Sequence, residues 1–303
     1  MRRLVITLVV LGALSATACS KSETPSSSAS PAPSAKPTAP PSRDGQSESA
    51  DGTSIAYTDT GSGDGALVFV HGWATNRGYW EAQVEDLARD YRVVTIDLAG
   101  HGDSGKERTD WSIEAFGKDV VAVVNDLNLR SAILIGHSMG GFVVVEAARM
   151  LPGRVVGVIG IDTLHDVEMR FPKEQYDELL NGLGRDFAGT CRTFVQSMFI
   201  EGSDPELVKE VTDDMCSTPP EVAIAALRAA STYDAAAGLD AAKVPLRCVN
   251  GTHFPTNAET NRKHVPSFQV YTIEGTGHFP MLERPVEFNR LLRQAVEELT
   301  GPK

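Results

Sequence analysis

The chain has 303 residues, 28 Lys and Arg against 40 Asp and Glu, and a net charge of −12. A chain this acidic, with no basic cluster to offset the balance, is not drawn to phosphate backbones, so nucleic acid is not an expected partner. No zinc-type spacing occurs among its 4 cysteines, and neither a metal nor any other cofactor is implied.

Arg2 and Arg3 form a basic start, Leu4 to Leu14 an apolar core, and Ala16-Thr17-Ala18 a small-residue exit. This pattern predicts an export signal over residues 1–18. The apolar core is shorter than the roughly 20 residues a spanning helix needs. Removing Arg2 and Arg3 with the signal takes the charge from −12 to −14. Cys19, directly after the cleavage point, resembles the lipid-modified cysteine of bacterial lipoproteins, although Ala16 stands where that pattern usually has leucine. The resemblance implies a lipid anchor in the bacterial cell envelope, the only membrane contact expected. Ordinary signal removal would instead leave a soluble secreted or periplasmic protein. Residues 19–50, rich in Ser, Pro and Ala, are expected to form a disordered tether.

From Gly52 the chain alternates moderately and suggests an antiparallel edge strand. Ala66 to Val70 is a continuous apolar run, the mark of a strand buried on both faces, and it delivers His71-Gly72-Trp73 to a loop. Tyr79, Trp80, Val84, Leu87 and Ala88 have helical spacing, and Arg92 to Ile96 is another buried strand ending at Asp97. A glycine-rich turn, Asp97 to Ser104, follows; then Ile113, Phe116, Val120, Val123, Val124 and Leu127 mark one face of a helix that Ser112 can cap.

The next stretch, Ile133-Leu134-Ile135-Gly136-His137-Ser138-Met139-Gly140-Gly141, reads as strand, sharp turn and helix with Ser138 at the apex. A nucleophile there takes a strained backbone, and glycines at 136 and 140 remove side chains that would collide with the turn. Val155 to Ile161 is a further β-branched run terminated by Asp162. Strands alternating with helices in this way give a mostly parallel sheet wrapped on both faces.

The strand rhythm stops from Thr163 to about Ala241, where helical faces such as Phe187, Cys191, Phe194, Val195 and Met198 predict an all-helical cap. Asp204-Pro205 and Thr218-Pro219-Pro220-Glu221 read as helix starts, the second with capping-box spacing. The α/β rhythm returns with Leu246 to Val249, a helix near Asn257 to His264, the strand Phe268 to Ile273, the loop Gly275 to Pro280 and a closing helix from Pro285. The expected organisation is thus an α/β core over 51–163 and 242–303, with a helical cap over 164–241 inserted after the sixth strand. Cys191, Cys216 and Cys248 allow three single disulfides. Cys191 with Cys216 is favoured because both fall in the helical insertion, with three buried thiols as the alternative.

From Gly52 to Lys303 the chain resembles the α/β-hydrolase superfamily in four features: His71-Gly72-Trp73, the Asp97 to Ser104 turn, the Ser138 elbow, and Gly277-His278-Phe279-Pro280. The resemblance implies an α/β-hydrolase fold and a serine nucleophile. Serine needs a neighbour to take its proton, and imidazole suits that role. His278 occupies the loop where the superfamily places its base; His137, beside Ser138, is expected to point away across the turn, and His71 and His101 to brace loops. His165, His253 and His264 are read as surface or structural.

Many relatives carry the third member, a carboxylate, in the loop that here is Gly251 to Asn257, which contains no Asp or Glu. A subset places it one strand earlier, where this chain has Asp162; Glu259 is the alternative. By the same resemblance, the backbone N–H groups of Trp73 and Met139 form the oxyanion hole. A serine nucleophile points away from alkyl-ester chemistry and toward acyl chemistry. The expected activity is hydrolysis of a carboxylic ester, lactone or thioester of a small to medium lipophilic molecule through an acyl-enzyme. C–C or amide hydrolysis, acyl transfer, or a silent surface binding protein are the alternatives.

Overall fold

The computed structural model describes residues 40–63, 65–170 and 172–301. The expected signal over 1–18, Cys19 and most of the expected tether lie outside the described residues. Eight strands form one sheet: β1 (Ser42–Glu48), β2 (Ser54–Thr60), β3 (Gly65–Val70), β4 (Arg92–Ile96), β5 (Ser131–His137), β6 (Val155–Ile161), β7 (Leu246–Gly251) and β8 (Gln269–Ile273). Their order is β1-β2-β4-β3-β5-β6-β7-β8. The pairings of β1 with β2 and of β2 with β4 are antiparallel; the rest are parallel.

The helices are α1 (Glu81–Leu87), α2 (Ile113–Asp126), α3 (Met139–Met150), α4 (Lys173–Arg185), α5 (Phe187–Gln196), α6 (Pro205–Met215), α7 (Pro220–Thr232), α8 (Ala235–Ala242), α9 (Ala258–His264), α10 (Pro280–Glu283) and α11 (Pro285–Thr300). They flank the sheet, with α2, α3 and α8 packed together and α1, α10 and α11 packed together. Because both faces are covered, β3, β5 and β6 are apolar along almost their whole length rather than alternating. Among the described residues, no helix is long and apolar enough to cross a membrane.

Residues 42–48, which composition assigns to the tether, instead form the edge strand β1, so β2 lies one place in from the edge. β1 carries no apolar residue to signal itself. It is held by its backbone ladder, by Arg43 on Asp59 at 2.7 Å, and by the Ser47 hydroxyl donating to Asp126 at 3.0 Å. Directly after it, the Ser49 hydroxyl donates to the buried Asp119 at 2.6 Å.

Five helices, α4 to α8, are inserted between β6 and β7. The last of them, α8, packs on α3 and so joins the layer over the sheet. Cys191 of α5 and Cys216 at the end of α6 form a disulfide, while Cys248 is a free thiol buried in β7, which pushes its pKa well above the usual range. The capping box expected at Thr218 does not form. Pro219 stands at the start of α7, and the Thr218 hydroxyl donates to the Ala74 carbonyl at 3.3 Å, tying the insertion to the loop after β3.

Candidate active site

Every residue singled out for chemistry follows the carboxyl end of a strand, where an open parallel sheet leaves a crevice. Ser138, between β5 and α3, has φ 52 and ψ −119, a conformation non-glycine residues hold only when the surroundings impose it. The imposition is visible. Ser138 donates its N–H to the Ile161 carbonyl at 3.0 Å, and its own carbonyl accepts from the Gly141 amide and the Thr163 hydroxyl, both at 2.9 Å. A Cβ on Gly136 would lie 2.2 Å from the Gly140 carbonyl oxygen, and one on Gly140 would lie 2.4 Å from the His71 carbonyl oxygen. The first glycine therefore clears the turn itself, and the second clears the end of β3.

Asp162, after β6, also has a positive φ, 43, and so does Ala74, after β3, at 56. Asp162 is 1% exposed. Its N–H donates to Val249, one carboxylate oxygen accepts from the Gly251 amide at 2.8 Å, and the other accepts from His278 Nδ1 at 2.6 Å. Burial alone would raise this carboxyl, but the His278 hydrogen bond and charge, with smaller help from His165 and the Gly251 amide, outweigh it and hold the group below the usual carboxylate range.

His278 follows β8. With Nδ1–H committed to the carboxylate, its Nε2 is the acceptor and lies 2.8 Å from Ser138 Oγ. Thus His278, 116 residues from Asp162 and 140 from Ser138 in sequence, joins the two in one continuous hydrogen-bonded chain. Glu259 is exposed in the first turn of α9, while the Nδ1 position it was to occupy is taken by Asp162.

Trp73 directly follows Gly72, and Met139 directly follows Ser138. A Cβ on Gly72 would lie 3.2 Å from Ser138 Cβ, so the loop after β3 passes against Ser138, and Met139 is the first residue of α3. The Trp73 indole is buried. It donates to the Ala223 carbonyl of α7 at 2.7 Å and meets Phe194 of α5 edge-on at 5.6 Å. The insertion reaches the His278 loop as well, because the His278 N–H donates to the Met198 carbonyl at 2.9 Å and Phe199 stacks on Phe279.

His71 is buried, accepts from the Leu98 amide at Nε2 and donates from Nδ1 to Gly72, bracing the loop after β4. Burial lowers its pKa to about 4, and burial together with the His71 charge lowers that of His101 to about 3. His165, read from sequence as surface or structural, instead borders the site: its Nε2 lies 3.7 Å from Asp162, and Nδ1 faces Asn250 and Thr256. His253 is exposed, and His264 bridges Asp240 and Glu168.

Two braces escaped the sequence reading. Asn250, fully buried at the end of β7, accepts from the Thr163 amide and donates to the Thr163 carbonyl, fixing the backbone beside Asp162. Glu283 accepts from the amides of Gly277 and Phe279 at 3.0 and 3.2 Å, cradling the His278 loop. The available signal was an amide where relatives often carry an acid, and a carboxylate one turn beyond Gly-His-Phe-Pro. A separate cleft of about 540 Å³ between α3 and α7–α8 is lined by Glu146, Arg149 and Tyr233 and by none of Ser138, His278 or Asp162. Its Glu146 carboxylate is already engaged by Arg149 and the Tyr233 hydroxyl.

Residues 67–291 match the family described as the alpha/beta hydrolase family. The chain belongs to that family. Among curated relatives, a non-heme chloroperoxidase of Streptomyces lividans is 36% identical over 148 residues, 46% of this chain and 54% of that protein. A 3-oxoadipate enol-lactonase of Acinetobacter baylyi is 26% identical over 77% of this chain and 89% of its own length. Among solved structures, a thermophilic esterase from Thermogutta terrifontis superposes with a TM-score of 0.74 at 25% identity, covering 85% of this chain and 99% of the esterase. This α/β hydrolase thus resembles proteins described as esterases, lactonases and peroxidases.

Proposed function

We propose that this α/β hydrolase cleaves a carboxylic ester of a small to medium lipophilic molecule through an acyl-enzyme. The observation that carries the reading is the chain of hydrogen bonds from Ser138 Oγ to His278 Nε2 at 2.8 Å and from His278 Nδ1 to Asp162 at 2.6 Å. In the proposed reaction His278 takes the Ser138 proton as Oγ attacks the carbonyl carbon, and Asp162 holds the imidazole in the required tautomer and stabilises its cation. The amides of Trp73 and Met139 receive the oxyanion. His278 then returns the proton to the leaving alcohol, and a second pass with water releases the acid. Phe194, Met198 and Phe199, brought against Trp73 and the His278 loop by the insertion, favour an apolar substrate, with the insertion acting as a cap.

A lactone is the closest variant of the same chemistry. The likeness to a protein named as an enol-lactonase supports it. Export by the 1–18 signal, with a lipid on Cys19 and a Ser/Pro/Ala tether shortened to end before β1, completes the reading.

The test is a panel of p-nitrophenyl esters of graded chain length alongside matched lactones. We expect turnover of short and medium esters with a burst of nitrophenol before steady state. Absence of turnover across the whole panel would overturn the assignment.

A further inference from the structure

His137, directly before Ser138 in the chain, is a buried polar side chain that the proposed reaction does not use. It is 1% exposed, and its Nε2 lies 2.8 Å from the backbone carbonyl of His278. A carbonyl can only accept, so Nε2 carries the proton and Nδ1 does not. Nδ1 has no hydrogen-bond partner, and it faces Gly72, where a Cβ would come within 2.7 Å of it. Burial, reinforced by the His278 charge, lowers the His137 pKa to about 3, so the ring stays neutral wherever the enzyme works.

These contacts put one imidazole in touch with all three working parts. It is bonded through the chain to Ser138, hydrogen-bonded to the main chain of His278, and packed under the Gly72–Trp73 loop. His278 is thereby held at three points: its N–H on the Met198 carbonyl, its ring on Asp162, and its carbonyl by His137. The ring of Trp80 meets His137 edge-on at 6.4 Å and Phe279 lies tilted against it at 5.3 Å, so the imidazole has little room to turn away. A buried neutral histidine with an unpartnered nitrogen is costly as a filler, since Phe would bury as much without an orphaned acceptor.

We propose that His137 is a positioning residue that sets the His278 imidazole against Ser138 by holding the His278 carbonyl. The proposal rests on the serine-hydrolase reading above. It predicts that His137→Phe, which fills the space without a donor, slows labelling of Ser138 by a fluorophosphonate about ten- to a hundredfold. Its kcat on p-nitrophenyl acetate should fall by a similar factor with KM changed less than about twofold. His137→Gln, whose amide N–H reaches about as far as Nε2, should restore labelling to within about threefold of wild type.

Wild-type protein that labels, with His137→Phe matching it in labelling rate and kcat, would overturn the role of His137 alone; wild-type protein that does not label would overturn the underlying reading. Should the Phe variant not fold, histidine ¹⁵N spectra of the wild type decide. A neutral Nε2–H tautomer unchanged from about pH 5 to 9 is expected, and a ring protonated at Nδ1, or one titrating near its ordinary value of about 6.5, would refute the proposal.

Discussion

At the level of single residues, four non-glycine positions just beyond the ends of neighbouring strands, Ala74, Ser138, Asp162 and Leu164, hold positive φ. Strain gathered at one rim is retained because hydrogen bonds and packing over-determine it. The Asp162 carboxylate is committed at both oxygens, one on the Gly251 amide and one on His278. Asp162→Asn keeps the size but offers His278 the wrong tautomer, so kcat should fall at least about a hundredfold, whereas Glu259→Gln should leave it within about twofold. Steady-state kinetics on one p-nitrophenyl ester check both, and full activity in Asp162→Asn would remove the acid from this position. The sequence made Asp162 legible because a β-branched run ends on it while residues 251–257 offer no acid. His165 and Asn250 were not legible. Their importance comes from the packing of the β6 and β7 ends side by side, and neither lies in a local pattern that announces it.

Among the elements, strands buried on both faces wrote themselves plainly into the sequence, since burial on two sides demands continuous apolar runs. The edge strand β1 did not. Its residues face solvent or bond to acidic side chains of α2, so its composition is that of a linker. The start of α7 misled for a related reason, because the Thr218 hydroxyl found a tertiary partner in the Ala74 carbonyl in place of its own helix. The insertion meets the loop after β3 through Trp73 and the His278 loop through Met198, and its α5–α6 pair is stapled by the disulfide across 25 residues. Replacing both Cys191 and Cys216 with alanine should cost about 3 kcal/mol through the freed unfolded chain. Urea unfolding of oxidised wild type against the double variant measures this. An unchanged midpoint would mean the helices need no staple.

For the whole molecule, the buried histidines set the response to acid. His71, His101 and His137 have folded pKa values of about 4, 3 and 3. Each takes a proton near 6.5 once unfolded, so their contribution is intact above about pH 6.5 and is lost as pH falls toward the folded values. Three such groups give a loss approaching about 4 kcal/mol per pH unit at its steepest. His264 runs the other way: its hydrogen bond to Asp240, against a smaller opposing effect of burial and with help from Glu168, raises its pKa. Its small contribution is present below about pH 6.5 and fades as pH rises through the raised value. Unfolding free energies measured from about pH 7.5 down to 4.5 should therefore fall steeply in wild type and slightly more steeply in His264→Gln; a flat profile would mean the three rings are not neutral and buried.

The account as a whole turns on Ser138 being an activated nucleophile. Mass spectrometry of protein treated with a fluorophosphonate measures this most directly. A single adduct on the peptide carrying Ser138, lost in Ser138→Ala and strongly slowed in His278→Ala, is the predicted result. An unmodified wild type, or an equal adduct in Ser138→Ala, would contradict it.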